Sequence, residues 1–455
     1  IVDYWNGGGE APSREDAIEG LRQLTEDIKF ENTRYHKDVI DALFRQPFSD
    51  ETIPYAENII PGKIFASDFD LGIMGEAYYD AGSEANYGGD FSAWNNGWAY
   101  RNDNVDIQNN EDPLSNGYNV GWIESDEWMQ YTLKDASSGL YNVKVRVATE
   151  DNDGSFYFKI NDNQVTDLIN VPNTESWTNW SFINIDSLVV YDTDDKFVFQ
   201  VKTGTFNLGF FEFERIGDIN LLQTKYISSF TLSENSININ FNKNLDNSST
   251  LNKSDFILNI NDQEKDIENV NYSSYPRSII INFDTEIQPT DIVTLSYTGN
   301  SVRGLDGETL INFNNEVVEN KISFVHAIPG KIEAEHYFNQ KGIELESTSD
   351  ENGGLNIGGL DNGDYADYYV KIESGDLYNV TYRSAADPNW SSGGQVELSI
   401  LDPTTGTYSS LQNVILPTTG GWQTWESTSK ALTLPEGEHQ IRLKILEGPF
   451  NLNWF

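Results

Sequence analysis

The chain has 455 residues, a formal net charge of −43, 38% hydrophobic and 13% aromatic residues, and no cysteine. At roughly 100–200 residues per domain, this length predicts three or four domains, each able to build a core. So negative a chain repels nucleic acid and anionic membranes and disfavours sulfated or uronic polymers. The lack of cysteine excludes a disulfide framework, a thiol nucleophile and a cysteine-built metal site.

No run of 18 apolar residues occurs, so no helical membrane span is expected. With 72 acidic side chains, no single Asp/Glu pair counts as a catalytic signal. Both ends read as cut, which predicts that these residues are part of a larger protein.

Residues 1–50 differ from the rest of the chain. Gly7, Gly8 and Gly9 form a flexible turn rather than a phosphate cradle. Ser13 can cap a helix, with Asp16 three residues on. Ala17, Ile18, Leu21, Leu24 and Ile28 then recur at helical spacing. A second helical stretch runs from Tyr35 to Phe44 and stops before Pro47. Two helices alone cannot bury their apolar faces. They are read either as the tail of a preceding, catalytic domain or as a free-standing cap.

Residues 51–60 read as a linker containing Pro54, and 61–216 as strands. Within the latter, 74–105 form a long irregular insertion carrying Tyr78, Tyr79, Tyr87, Phe91, Trp94, Trp98 and Tyr100. Such a loop is either functional or a self-packed cover. Residues 217–326 turn rich in Asn and Ser, with alternation in Ser236–Asn242, Ser278–Phe283 and Val293–Thr298, which predicts a sandwich. Residues 327–455 then repeat the 61–216 pattern.

The repeat is carried by four segments in the same order. Ile60-Pro-Gly-Lys-Ile64 returns as Ile328-Pro-Gly-Lys-Ile332, and Asn119-Val-Gly-Trp122 as Asn356-Ile-Gly-Gly359. Trp177-Thr-Asn-Trp180 returns as Trp422-Gln-Thr-Trp425, and Phe206-Asn-Leu208 as Phe450-Asn-Leu452. Four matches in register mean a duplicated domain. The expected fold is all-β: three β-sandwiches in series, with a short helical start.

The repeated segments supply aromatics and amides rather than nucleophiles. A neutral glycan offers hydroxyls and an apolar face of ring C–H groups. Flat aromatic side chains stack on that face, and a few amides or carboxylates fix the hydroxyl pattern. The four histidines, His36, His326, His336 and His439, form no zinc-like pair in sequence, and no phosphate-binding glycine motif occurs.

On these segments, 61–216 and 327–455 each resemble carbohydrate-binding module family 6, a jelly roll found on secreted glycoside hydrolases. Tyr100-Arg-Asn-Asp-Asn-Val-Asp-Ile107 and Lys331-Ile-Glu-Ala-Glu-His-Tyr337 strengthen the resemblance. The central sandwich resembles the bacterial Ig-like spacers of the SwmB type, through Phe241–Asp246, Asp291–Thr298 and Val317–Asn320.

The family resemblance implies a loop-end cleft. In the first copy it would hold Trp122, Trp177 and Asn207, with Gln108 standing, one residue out of register, where the family often has Glu. In the second it would hold Glu346, Trp422 and Asn451. Gly359 replaces the first aromatic there, and Trp390, alone in a polar loop, is a candidate substitute. Trp128 and Trp180 are expected in the core.

The resemblance also implies a structural calcium. Glu333 and Glu335 are its candidate ligands in the second copy. Phe65 and Ser67 replace both carboxylates in the first, leaving Asp68 and Asp70. The expected role is a non-catalytic, secreted or cell-surface polysaccharide-binding region, monomeric, that targets an attached glycoside hydrolase to a plant or algal glycan. The alternatives are the end of a glycan-degrading enzyme whose active site includes the N-terminal segment, and a structural or adhesive surface protein.

Overall fold

The computed structural model describes residues 11–33, 35–81, 96, 97, 99–351, 353–403 and 406–455. Tyr87, Phe91, Trp94, Trp98 and the Gly7–Gly9 turn lie outside these residues.

Ser13 caps the first helix, Arg14–Asp27, its hydroxyl accepting the Asp16 N–H at 3.1 Å. No residue of that helix is buried, and Leu21, Leu24 and Ile28 stay exposed. The second helix, Lys37–Phe44, is instead pinned to the sandwich beside it. Its Asp38 carboxylate accepts from the Asn102 backbone at 2.7 Å and side chain at 2.9 Å. Arg45, just beyond it, donates to the Leu71 carbonyl at 3.3 Å.

In the first copy two sheets face each other. One runs in the order Asn58–Ile60, Trp128–Ala136, Lys196–Thr203, Ser155–Ile160, Ile169–Asn170. The other runs Ser181–Val190, Gly139–Ala148, Asn207–Gly217, Tyr118–Val120, Ile107–Asn109. Asn58–Ile60 lies parallel to Trp128–Ala136, so pairing begins inside the stretch read as linker.

Phenyl rings fill the space between the sheets. Phe156, Phe158, Phe197, Phe199 and Phe211 have no exposed surface, and Phe158–Phe197 and Phe197–Phe211 meet edge-to-face at 4.9 and 5.1 Å. Trp128 and Trp180, expected in this core, are only half-buried. Trp128 opens its strand and Trp180 closes a loop, so each indole sits at the margin of an element, while the smaller rings occupy strand centres.

The described part of the insertion packs on its own module. Tyr78 is buried and meets Phe69 at 5.3 Å, and Tyr100 stacks on Tyr118 at 4.5 Å.

The central sandwich has two four-stranded sheets around Ile237, Ile239, Ile279, Ile281 and Leu295. Ser236–Phe241 alternates as its sequence predicts, yet its polar face is buried as well. Asn238 donates to Asn240 at 2.8 Å and Asn240 to the Ser228 hydroxyl at 3.1 Å, which satisfies both buried amides. Asn240 faces a cavity shared with Tyr157 and Lys159 of the first copy. The two sandwiches are further joined by a buried ion pair, Asp194–Arg277, at 2.6 Å with both side chains 1% exposed. Arg277 also donates to the Val189 carbonyl of the first copy at 3.0 Å.

The second copy repeats the five-strand path of each sheet, without counterparts of Gly62–Phe65 and Asn163–Gln164 among the described residues. Val325–Ile328 runs parallel to Tyr365–Ile372, with Gly437–Glu447, Gly394–Asp402 and Thr407–Leu416 next across the sheet. The facing sheet runs Glu344–Ser347, Leu355–Gly358, Asn451–Trp454, Asp376–Ala385, Glu426–Leu434. Tyr368, Tyr382 and Leu452 are fully enclosed between them.

Candidate functional site: a loop-end cleft in duplicate

Each side chain expected in the first cleft is set by a different element. Gln108 lies on Ile107–Asn109, where it pairs with Asn119. In the second copy Glu346 pairs with Asn356, so Gln108 and Glu346 are equivalent and the apparent offset in sequence disappears.

After Asn119 the chain passes through Gly121, where a Cβ would stand 2.8 Å from Asn207 Oδ1. Only glycine lets the backbone come this close to the amide. Gly358 plays the same part against Asn451, at 3.0 Å.

The next residue is Trp122, at φ +50°. Its counterpart Gly359 sits at φ +65°. A bulky side chain in the left-handed region is strained by about 1–2 kcal/mol, where glycine is not. The first copy carries that strain and holds the indole 50% exposed at the mouth of the cleft.

Trp177 comes from the loop before Ser181–Val190. Thr174, three residues earlier, accepts the Thr149 N–H at 2.8 Å through its hydroxyl and anchors the loop. Asn207 Nδ2 then donates to the Trp177 carbonyl at 2.8 Å, fixing the loop. Thr419 holds Ala386 N–H at 2.9 Å, and Asn451 donates to the Trp422 carbonyl at 3.0 Å, so the second copy is built alike.

In the first copy these groups enclose one cavity of about 400 Å³, lined by Gln108, Trp122, Asp151, Trp177, Thr205, Phe206 and Asn207. All four expected residues are therefore brought together. Asp151 and Thr205, which the sequence pattern did not single out, hydrogen-bond to each other at 2.5 Å on its rim. Thr205 could have been found from its place two residues before Asn207. Asp151 carries no such signal.

The second cleft keeps Glu346, Trp422 and Asn451 together. Asn451 Nδ2 donates to Glu346 Oε2 at 2.8 Å as well as to the Trp422 carbonyl. Trp390 is 77% exposed, and its backbone N–H binds Asp387 within its own turn. Among the described residues, no hydrogen bond or ring contact joins it to the other three.

A repeated ion pair supports both sites. Asp112 receives Arg146 Nε at 2.8 Å, and Asp350 receives Arg383 Nε at 2.8 Å. Each aspartate lies four residues after Gln108 or Glu346, a spacing that marks the pair in sequence once the copies are aligned. Arg383, with Asn453, brings the Asp350 carboxyl down to about 2.

The candidate metal positions differ between the copies. Burial raises the Glu335 carboxyl, and its Oε2 is enclosed without a partner, while Glu333 pairs with Lys331. An enclosed carboxylate oxygen lacking a donor suits a hard cation, although among the described residues no cluster of three acidic or histidine side chains gathers there. In the first copy Ser67 accepts from Asn116 at 3.0 Å, Asp68 from Tyr100 at 2.6 Å, and Asp70 from Thr132 Oγ1 at 2.6 Å. The buried Arg101 guanidinium already places a positive charge against the Phe69 and Asp70 carbonyls. The first copy does not fit a metal there.

Two facing-sheet sandwiches, each with aromatic and amide groups gathered at the loop end, define a sugar-binding class of domain. The model of the carbohydrate binding module (family 6) matches residues 99–215 and 333–455, more than half of the chain, and the chain belongs to this family. Its role is non-catalytic polysaccharide binding.

The chain is 31% identical over 124 residues to the clotting factor G alpha subunit of Tachypleus tridentatus, covering 27% of this chain and 17% of that relative. It thus spans about a sixth of that protein's length. Among solved structures it is similar to a family 6 module of a Cellvibrio mixtus lichenase, solved with cellotriose. That match is 34% identical with a TM-score of 0.24, over 28% of this chain and 92% of the other. A β-1,3-glucan binding module from Bacillus halodurans is 33% identical with a TM-score of 0.26, over 29% and 96%.

Proposed function

We propose that the first copy is the principal binder and grips a neutral glycan between Trp122 and Trp177, with Asn207 and Gln108 reading hydroxyls. The observation that carries this is one cleft of about 400 Å³ bordered by two part-exposed indoles and an amide already oriented by its loop. The second copy, without an aromatic at Gly359, binds more weakly. The central sandwich acts as an Ig-like spacer. The whole serves as a monomeric, secreted targeting arm for an attached glycoside hydrolase on a plant or algal glycan, engaging neither nucleic acid nor membrane. The net charge of −43 supports a partner without negative charge.

Electrophoresis of the full chain through gels containing hydroxyethyl cellulose, xylan, β-1,3-glucan or agarose tests this reading. Retention in at least one gel is expected. Trp122→Ala or Trp177→Ala should each weaken it by about 2 kcal/mol, roughly 30-fold, as for a stacking anchor. Retention unchanged in both variants would favour the adhesive or spacer role, and hydrolysis by the chain alone would favour an enzyme.

We also propose calcium in the second copy, on Glu333 and Glu335. The enclosed, unpartnered Glu335 oxygen supports it. Chelation should lower the melting temperature of the full chain, and Glu335→Gln should abolish that sensitivity. Equal melting with and without chelator would remove the metal.

A further inference from the structure

Trp122 borders two cavities. On one side lies the cleft already described. On the other lies a trough of about 920 Å³ that ends on the second copy. Thr205 also borders both. The trough is walled by Tyr79, Asp106 and Glu124 of the first copy and by Gln340, Lys341 and Tyr365 of the second. Ligand sites occupy roughly 300–1,000 Å³, so the cleft sits near the bottom of that range and the trough near its top. One sugar ring fills neither the trough nor the two spaces joined at Trp122.

The trough's chemistry suits hydroxyls. Burial raises the Glu124 carboxyl, and the Lys341 ammonium opposes that rise. Asp106 is raised by burial too, and its oxygens accept from Asn96, Nδ2 standing at 2.9 Å. Carboxylates and carboxamides facing one lysine and two phenols present acceptors and donors at close intervals. They repel a polyanion.

Contacts along the chain order the approach to the second copy. The Asp194–Arg277 pair fixes the central sandwich to the first copy. Phe324 then stacks on His336 at 3.8 Å, where the chain enters the second copy.

We infer that cleft and trough form one continuous site for an extended neutral glycan, crossing the Trp122 edge, with Gln340 and Lys341 of the second copy contacting the sugars farthest from Trp177. This rests on the cleft binding sugar in the first place. The second copy then serves the first as a wall, whatever its own cleft does.

Titration calorimetry of the full chain with cello-, laminari- and xylo-oligosaccharides of two to eight units tests the inference. For the series that binds, affinity should keep rising beyond three units. The double variant Gln340→Ala/Lys341→Ala should lose about tenfold for eight units and nothing for two or three, with unchanged melting. Trp177→Ala should weaken every length. Affinity that levels off at three units, or a double variant equal to the parent at eight, overturns the shared site and leaves the cleft standing. Absence of binding at every length in all three series, together with no gel retention, overturns both.

Discussion

At the scale of single residues, the backbone between Asn119 and Ile123 decides what the loop end can do. Both copies hold the residue after Gly121 or Gly358 in the left-handed region, at φ +50° in Trp122 and +65° in Gly359. The second copy thus has the conformation an indole platform needs and lacks only the ring. A Cβ at Gly359 would stand 3.1 Å from the Glu344 side chain, a flexible group able to yield. Gly359→Trp in the Trp177→Ala background should therefore restore glycan retention lost from the first cleft. It should also lower stability by about 1 kcal/mol, the cost of left-handed backbone in a bulky residue. Retention no better than that of the background variant would show that Glu346, Trp422 and Asn451 do not form a usable partner surface.

Among elements, the strands Gly139–Ala148 and Asp376–Ala385 do more than build a sheet. Each offers an arginine that clamps the aspartate four residues beyond the cleft's Gln or Glu. In Asp112 burial is the largest influence and works to raise the carboxyl, but the Arg146 and Leu114 hydrogen bonds and the Arg146 and Lys63 charges together outweigh it, and the net movement is downward. Asp350 is held at about 2 against an ordinary 3.8. A carboxyl lowered by folding stabilises the fold fully above its unfolded value and loses that contribution as pH falls through the folded one. The second copy should accordingly lose stability between about pH 4 and pH 2, and Asp350→Asn should flatten that slope while lowering stability at pH 7. Denaturant midpoints across this range would check it, and identical slopes in parent and variant would refute it.

The duplication, the all-β architecture, the capped first helix and the cleft residues were all legible in the sequence, because each leaves a local mark. A repeated pentapeptide, a serine before an apolar period and a tryptophan beside a glycine need no partner to be seen. The Asp112–Arg146 clamp, Asp151 on the rim and the half-buried positions of Trp128 and Trp180 depend on pairings far apart in the chain. The start of pairing at Asn58 escaped for a related reason. A three-residue parallel strand is too short to show a period.

In the whole molecule, the covered polar face of Ser236–Phe241 and the Asp194–Arg277 pair join the central sandwich and the first copy through buried groups. Burial pushes Asp194 up and Arg277 down, yet the two are matched at 2.6 Å. Removing one partner strands the other, so Asp194→Ala should destabilise by about 3–5 kcal/mol. The double change Asp194→Leu/Arg277→Met should cost far less. Chemical denaturation of the three proteins separates these outcomes, and an Asp194→Ala loss under about 1 kcal/mol would mean that water reaches the pair.

A joint of this kind leaves little slack between the first copy and the central sandwich. A loose tether would let each sugar-binding end search for its own stretch of polymer, with a gain set by tether length. If the second copy is held as firmly and both clefts bind, a strand of glycan reaches both ends only when its own helical or ribbon-like course carries it there. Discrimination then falls on the curvature of the polysaccharide, so two glucans with the same sugar and different linkage would be told apart by the path they trace in solution.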